Sequence, residues 1–353
     1  MSDQKPVRFA ILGVAQPHAA AYTETLLYMP ETEVVAGYSW EPEAVRGTLP
    51  AALAEMPLYD DWQELLDKEQ PEAILVCLPG KLVPEIVEAA ANRGIHVMAE
   101  KPAARNAAEW LPAQRAIERN GVQFATGYVR HFSPPAMMMR DLVQQGIIGD
   151  LIAAETSFLT SSVANRNPDQ WMFKREMNGG GILNWLGCHW IDLFRFVSGS
   201  EAVAVNAMTD TLTGAPIDVE DFASVSIRYD NRMIATLHTG YVGGNKIDIG
   251  FQGTLGNMSW DGAVSELRVH SNHPDWATAP TRTITFEADP KVPGYAGEIG
   301  VEVIRRFINA WRHGGEPAFV PDDVLRVLEV LDAAHRSSAE GRTVEVEHAR
   351  VTA

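Results

Sequence analysis

Short apolar runs alternate with amphipathic stretches through roughly the first third of the chain. Val7 to Leu12 is the first such run, followed after a turn by a helical stretch from about His18 to Tyr28; Val34 to Gly37 reads as a second strand. Next come an amphipathic helix around Trp62 to Lys68, a strand Ala73–Leu78 and a helix from about Leu82 to Asn92. A strand Ile95–Ala99, a helix near Asn106–Arg119 and a strand Gln123–Thr126 complete the series. Strands that alternate with helices of roughly 10 to 15 residues build a right-handed, doubly wound parallel sheet, since each parallel pairing needs a crossover. The pattern predicts an α/β domain over residues 1–127.

Beyond Gly127 the period changes. A helix at about Pro135–Gln145 leads to a strand Leu151–Phe158 and then to a polar stretch, Thr160 to Asn178, long enough to be functional or mobile. Gly179-Gly180-Gly181 opens a strongly apolar helix, Ile182 to Val197. From Ala202 most segments alternate as strands: Val203–Asp210, Ala223–Tyr229, Met233–Tyr241, Lys246–Gly253, Asn257–Asp261, Ser265–His270 and Thr281–Phe286. Turn residues such as Asp230-Asn231 and Gly243-Gly244 separate them. The expectation is an α+β domain over residues 128–353, a large, mostly antiparallel sheet of six or so strands with helices at about 295–312 and 321–338 alongside.

Composition narrows the class of partner. The 353 residues exceed one typical core. Formal net charge is −17, from 46 acidic against 29 basic residues, and no Lys/Arg stripe offsets it, so a nucleic-acid partner is not expected. Cys77 and Cys188 sit in apolar runs and read as buried thiols of a reducing compartment. No apolar run reaches membrane-spanning length and Met1-Ser2-Asp3-Gln4-Lys5 lacks a signal-peptide core; the protein reads as cytoplasmic, with no membrane partner. His238, His270 and His273 have no metal-ligand spacing with carboxylates or thiols, so no metal is expected.

Candidate chemistry collects at strand ends, where open parallel sheets bind ligands. The turn Gly13-Val14-Ala15-Gln16-Pro17-His18 lies where such a fold seats a pyrophosphate against a helix N-terminus. It keeps the first glycine of G-x-G-x-x-G and reads as shortened before His18. It is either a compact phosphate turn or a plain connection. Ser39 takes the place of the usual ribose-binding acid, with Trp40 beside it and Glu41 beyond; without an arginine there, NAD is favoured over NADP. Glu100-Lys101-Pro102 follows the strand Ile95–Ala99, and proline biases Lys101 toward an extended backbone, so a cation projects from the strand end.

Together these residues resemble the Gfo/Idh/MocA oxidoreductases, the family of glucose–fructose oxidoreductase and inositol dehydrogenase. The resemblance rests on Ala99-Glu100-Lys101-Pro102, on Tyr128-Val129-Arg130-His131-Phe132-Ser133-Pro134 with Gly146-Ile147-Ile148-Gly149, on Gly179-Gly180-Gly181-Ile182-Leu183 through Gly187-Cys188-His189-Trp190-Ile191-Asp192, on Glu220-Asp221, and on Gly253-Thr254-Leu255-Gly256. It implies a Rossmann domain that holds NAD against Gly13, Ala15, Gln16, Pro17, His18, Ser39, Trp40, Leu78, Pro79, Glu100 and Lys101. It also implies hydride transfer at a hydroxyl or carbonyl carbon of a sugar or polyol, in a homodimer or homotetramer; an apolar outer sheet face pairing across a two-fold axis would suit that assembly.

Within the resemblance the family's catalytic Lys and His fall on Lys101 and His189, while its usual Asp, four residues before the His, falls on Trp185. His189 suits proton transfer because histidine titrates near neutrality, and Lys101 suits a developing alkoxide. Trp185 shares a helix face with His189. Asp192 either orients the imidazole, lines the pocket or is structural; Arg130, Trp171 and Lys174 are the remaining candidate substrate contacts. Two further readings stay open: a glycoside-eliminating enzyme that recycles its NAD, and a non-catalytic, sugar-responsive binding or regulatory protein.

Overall fold

The structure is a computed structural model that describes residues 5–40, 42–47, 49–261, 266–287 and 291–349. Glu41 and Ser265 lie outside the described residues.

The first sheet contains β1 (Val7–Leu12), β2 (Thr32–Tyr38), β3 (Leu58–Tyr59), β4 (Ala73–Val76), β5 (His96–Ala99) and β6 (Phe124–Thr126), in the order β3-β2-β1-β4-β5-β6. Its pairings are parallel throughout. β4 is buried at all four positions and β1 at all but Arg8, the pattern of central strands covered on both faces. The crossovers are α1 (Pro17–Tyr28), a short α2 (Pro42–Arg46), α3 (Trp62–Glu69), α4 (Val83–Asn92) and α5 (Ala107–Asn120). Asp61 and Asn106 cap α3 and α5 by accepting from Gln63 N at 2.8 Å and Glu109 N at 3.0 Å. The strand order reverses between β1 and β4, so the crevice for a ligand opens beside the turn after β1.

α6 (Pro134–Gln144) leads into a second sheet that departs from expectation. It has nine strands: β7 (Leu151–Leu159), β8 (Ala202–Asp210), β9 (Phe222–Tyr229), β10 (Ile234–Gly240), β11 (Lys246–Gly253), β12 (Gly256–Asp261), β13 (Glu266–Ser271), β14 (Thr281–Thr285) and β15 (Val344–Glu345). The order β14-β13-β12-β11-β7-β10-β9-β8-β15 places β7 at the centre, where it runs parallel to β10. The long connection through α7 (Arg175–Asn178) and α8 (Cys188–Ser198) returns the chain to β8, which permits that one parallel pair.

Expected as irregular, the stretch Thr160–Asn178 contains three short helical turns, Val163–Asn165, Trp171–Phe173 and α7. The apolar helix expected from Ile182 begins as a π turn, Leu183–Gly187, before α8. Glu220 Oε1 accepts from both Gly181 N, at 2.8 Å, and Leu183 N, at 3.1 Å, and anchors this widened start.

α8 and α10 (Pro321–Glu340) lie against the sheet's inner face, whereas α9 (Glu298–Arg312), expected alongside this sheet, packs on α1 and β6 of the first domain, with Phe307 6.3 Å from Phe9. The outer face differs from the apolar one expected. Its rows run Asn206–Ser226–Thr236 and Met208–Ser224–His238, so the outward positions are mostly polar. Among the described residues no helix is long and apolar enough to cross a membrane.

Candidate active site

Gly13 ends β1 with φ +99°, and a Cβ there would stand 2.1 Å from the Cys77 carbonyl oxygen and 2.9 Å from Leu78 Cδ2. Only glycine fits so close to the end of β4, where Leu78 and Pro79 form the opposite lip. The turn is full length, which corrects the expected shortening: positions 13, 15 and 18 keep the spacing of G-x-G-x-x-G, with Ala15 and His18 in the second and third glycine places. Pro17 occupies the first turn of α1, and Gln16 caps that helix by accepting from His18 N and from Ala19 N at 3.2 Å. These are the donors a pyrophosphate takes at a helix N-terminus. Ser39 is buried at the carboxyl end of β2 and Trp40 is exposed beside it.

Lys101 is 2% exposed. Its Nζ donates to the Trp185 carbonyl at 2.9 Å and lies 4.2 Å from the centre of the Trp185 indole. A π turn shifts carbonyls off the ordinary helical ladder, and the Trp185 oxygen turns to the ammonium. A counter-charge comes from the neighbouring residue, since Glu100 Oε2 is 3.9 Å from Nζ. Glu100 also accepts from Tyr22 Oη at 2.9 Å and meets His18 Nδ1 at 3.1 Å. Burial alone would raise this carboxyl, but hydrogen bonding and charge from His18, with Lys101 and Tyr22, outweigh it and hold Glu100 below the usual carboxylate range.

His189 is half-buried, with the Tyr128 ring edge-on at 6.0 Å. Its Nδ1 is buried without a hydrogen-bond partner. Burial, then the charges of Lys101, Arg130 and His18, push the imidazole well below its ordinary value. At neutral pH it is uncharged and able to accept a proton. Asp192 is fully buried and faces His131 rather than His189; His131 Nε2 lies 2.8 Å from Asp192 Oδ2, in contact but off the hydrogen-bonding direction. Burial raises the Asp192 carboxyl against the opposing pull of His131.

The other expected contacts separate. Trp171 meets Trp185 edge-to-face at 5.4 Å and extends the aromatic wall beside Lys101. Arg130 lies over Trp190 at 4.5 Å, with Trp260 at 6.0 Å. Lys174 pairs with Asp169 at 3.6 Å on an exposed loop.

Two tyrosines join the site without any signal in the sequence. Tyr295 stacks on Tyr22 at 4.2 Å and meets His18 at a tilt at 5.0 Å, and its N–H donates to Thr25 Oγ1 at 2.9 Å, 270 positions away along the chain. His18 in turn faces Trp185 at 5.9 Å. Rings from Trp171, Trp185, His18, Tyr295 and Tyr22 thus form one continuous wall around the Lys101–Glu100 pair. Among the described residues, no group of three or more His, Cys, Asp or Glu is placed to share a metal.

A family model described as an oxidoreductase family's NAD-binding Rossmann fold matches residues 7–128, and one described as the GFO/IDH/MocA C-terminal domain matches residues 136–259. The chain belongs to the Gfo/Idh/MocA family of oxidoreductases. Levoglucosan dehydrogenase of Pseudarthrobacter phenanthrenivorans is 26% identical over 326 residues, covering 81% of this chain and 83% of that protein. Inositol 2-dehydrogenase of Rhizobium meliloti is 26% identical over 358 residues, covering 96% and 99%. A solved levoglucosan dehydrogenase, in complex with NADH and levoglucosan, superposes with a TM-score of 0.84 at 22% identity, over 98% of this chain and all of that one. As an NAD-binding Gfo/Idh/MocA fold, the first domain has a suitable cradle: a glycine that no side chain can replace after β1, a helix N-terminus capped by Gln16 beside it, and a buried Ser39 at the second strand end.

Proposed function

We propose that the protein transfers hydride between a nicotinamide and a secondary hydroxyl or carbonyl carbon of a sugar or polyol. The observation that carries this reading is the convergence of Lys101 and His189: the carbonyl four residues before His189 holds the Lys101 ammonium, and the charge of Lys101 bears on the imidazole. The bound dinucleotide supplies the hydride acceptor, or the donor in the reverse direction. In the oxidising direction the uncharged His189 takes the proton of the reacting hydroxyl. Lys101 donates to the same oxygen and stabilises the alkoxide charge as it develops, with Glu100 beside the ammonium as its counter-charge. Trp185 and Trp171 offer flat apolar faces to a sugar ring and help to exclude water. The Gln16, Ser39 and Trp40 positions carry no arginine for a 2′-phosphate, which supports NAD over NADP.

Titration of nucleotide-stripped protein with NADH and NADPH tests the reading. Saturable binding, tighter for NADH, is expected. In turnover the acid limb of kcat/KM should fall well below the ordinary histidine value of about 6.5, because a base with a lowered pKa stays unprotonated to lower pH and activity is lost only as pH drops through that value. An acid limb at or above 6.5 would take His189 out of the base role.

One observation favours a second reading. Gln16 satisfies the helix donors that a pyrophosphate needs, as expected of a sugar-responsive protein that has lost its cofactor. Absence of binding by either nucleotide at millimolar concentration would decide for it.

The assembly is read as a homodimer or homotetramer. Support comes from the outer face of the nine-stranded sheet, where Met208 and Ile234 are uncovered among hydroxyl and amide side chains. Light scattering should give a multiple of 38.7 kDa; a monodisperse monomer refutes it.

A further inference from the structure

Arg130 is a cation without a counter-charge. It lies in the short helical turn Val129–Phe132 that follows β6, half-buried, with its guanidinium over Trp190 at 4.5 Å and 6.0 Å from the centre of Trp260. Among the described residues no carboxylate stands within ion-pair distance of it, and no hydrogen bond occupies its guanidinium nitrogens. Two other shielded arginines do carry counter-charges. Arg195 binds Glu201 at 2.8 Å and Asp323 at 2.7 Å, and Arg326 binds Asp322 and Glu329 at 3.0 Å each. The half-buried guanidinium keeps part of its access to solvent, and the two indoles cover its face rather than answer its charge.

The position of the charge gives it meaning. Arg130 lies over Trp190, the residue that follows His189 on α8, and its charge bears on the His189 imidazole together with those of Lys101 and His18. The pocket's carboxylate, Glu100, is already engaged by His18, Tyr22 and Lys101. Asp192 is turned away to His131. The balance at the site is therefore positive in a chain whose net charge is −17. Such a focus of one sign attracts a ligand of the other. Geometry narrows the ligand further: with its planar face covered by indole, a guanidinium presents its edge, a fork of parallel N–H donors that matches a carboxylate.

We infer that the substrate is an acid, a sugar or polyol that carries a carboxylate, with Arg130 binding that carboxylate while Lys101 and His189 meet the reacting hydroxyl. This deepens the oxidoreductase reading and rests on it.

The test is calorimetry on the NADH-loaded full-length protein with matched pairs: D-glucuronate against D-glucose, D-galacturonate against D-galactose, and D-gluconate against D-glucitol. At least one acid should bind about 10- to 100-fold more tightly than its neutral partner, the range of a charge-assisted contact. Arg130→Gln should bring that preference to within a few-fold while NADH affinity holds, and Arg130→Lys, which keeps the charge without the fork, should retain part of it. Neutral sugars that bind as well as the acids overturn the inference, and so does Arg130→Gln weakening NADH while the acid preference persists, which would assign the guanidinium to a cofactor phosphate. In both of those outcomes NADH binding and sugar oxidation by the native chain leave the oxidoreductase reading standing. Failure of the native chain to bind either nucleotide removes that reading and the inference with it.

Discussion

Lys101→Ala should lower turnover about 100- to 10,000-fold, the span expected when a proton-transfer or alkoxide-stabilising group is lost. NADH affinity should stay nearly unchanged, because the dinucleotide's phosphates are expected at the Gly13 turn and not at Nζ. Removing the ammonium leaves the Trp185 carbonyl with only the longer side-chain contact from Cys188 Sγ, at 3.7 Å, and Glu100 without its adjacent cation. Some loss of stability is therefore expected, and a melting curve belongs beside the kinetics. Stopped-flow hydride transfer with a competent sugar is the decisive readout. Undiminished activity in a variant that folds would remove Lys101 from the mechanism.

Gly13→Ala should cost about 3 kcal/mol or more of stability, because overpacking and a disallowed backbone conformation act at one position. The added methyl would press on the Cys77 carbonyl, which belongs to the backbone and cannot rotate away, while φ at +99° is unsuited to alanine. The turn can relieve the clash only by moving off β4, which also misplaces the helix donors after it. A lower melting temperature and weaker NADH binding should appear together. Native-like melting and native-like affinity would mean that this turn is not the cofactor's cradle.

Much of the first domain was legible because its central strands are buried on both faces and read as unbroken apolar runs; Val7–Leu12 was placed at its observed limits. β3 and β15 are two residues each, too short for any period to register. The central, parallel position of β7 was hidden for another reason: alternation along a strand reports which face is buried and says nothing about the direction of its neighbours. Likewise the π turn at Leu183–Gly187 carries the same apolar residues as an α-helix would.

At the candidate site, Lys101 is legible from its place before Pro102 at a strand end, while Trp185 and His189 enter only through the family resemblance. The role of Glu100 as the counter-charge to Lys101 was missed, because adjacency in sequence does not reveal that a side chain folds back toward its neighbour. Tyr295 had no local signature at all. It reaches His18 only because Gly294 packs against Thr25, where a Cβ would come within 2.1 Å of the hydroxyl.

The Gln16 cap bears on how a nucleotide would come and go. The amide oxygen that holds His18 N and Ala19 N is tethered to the same backbone, so it is always at hand when a nucleotide leaves. Arrival of a pyrophosphate then exchanges one acceptor for another and creates no new helix end to satisfy; departure is an equally even trade. Part of the gain that a phosphate would bring to bare donors is cancelled in advance. An enzyme arranged this way gives up tightness of cofactor binding for ease of replacement, which suits a chain that must release a reduced nucleotide and take up an oxidised one in every cycle.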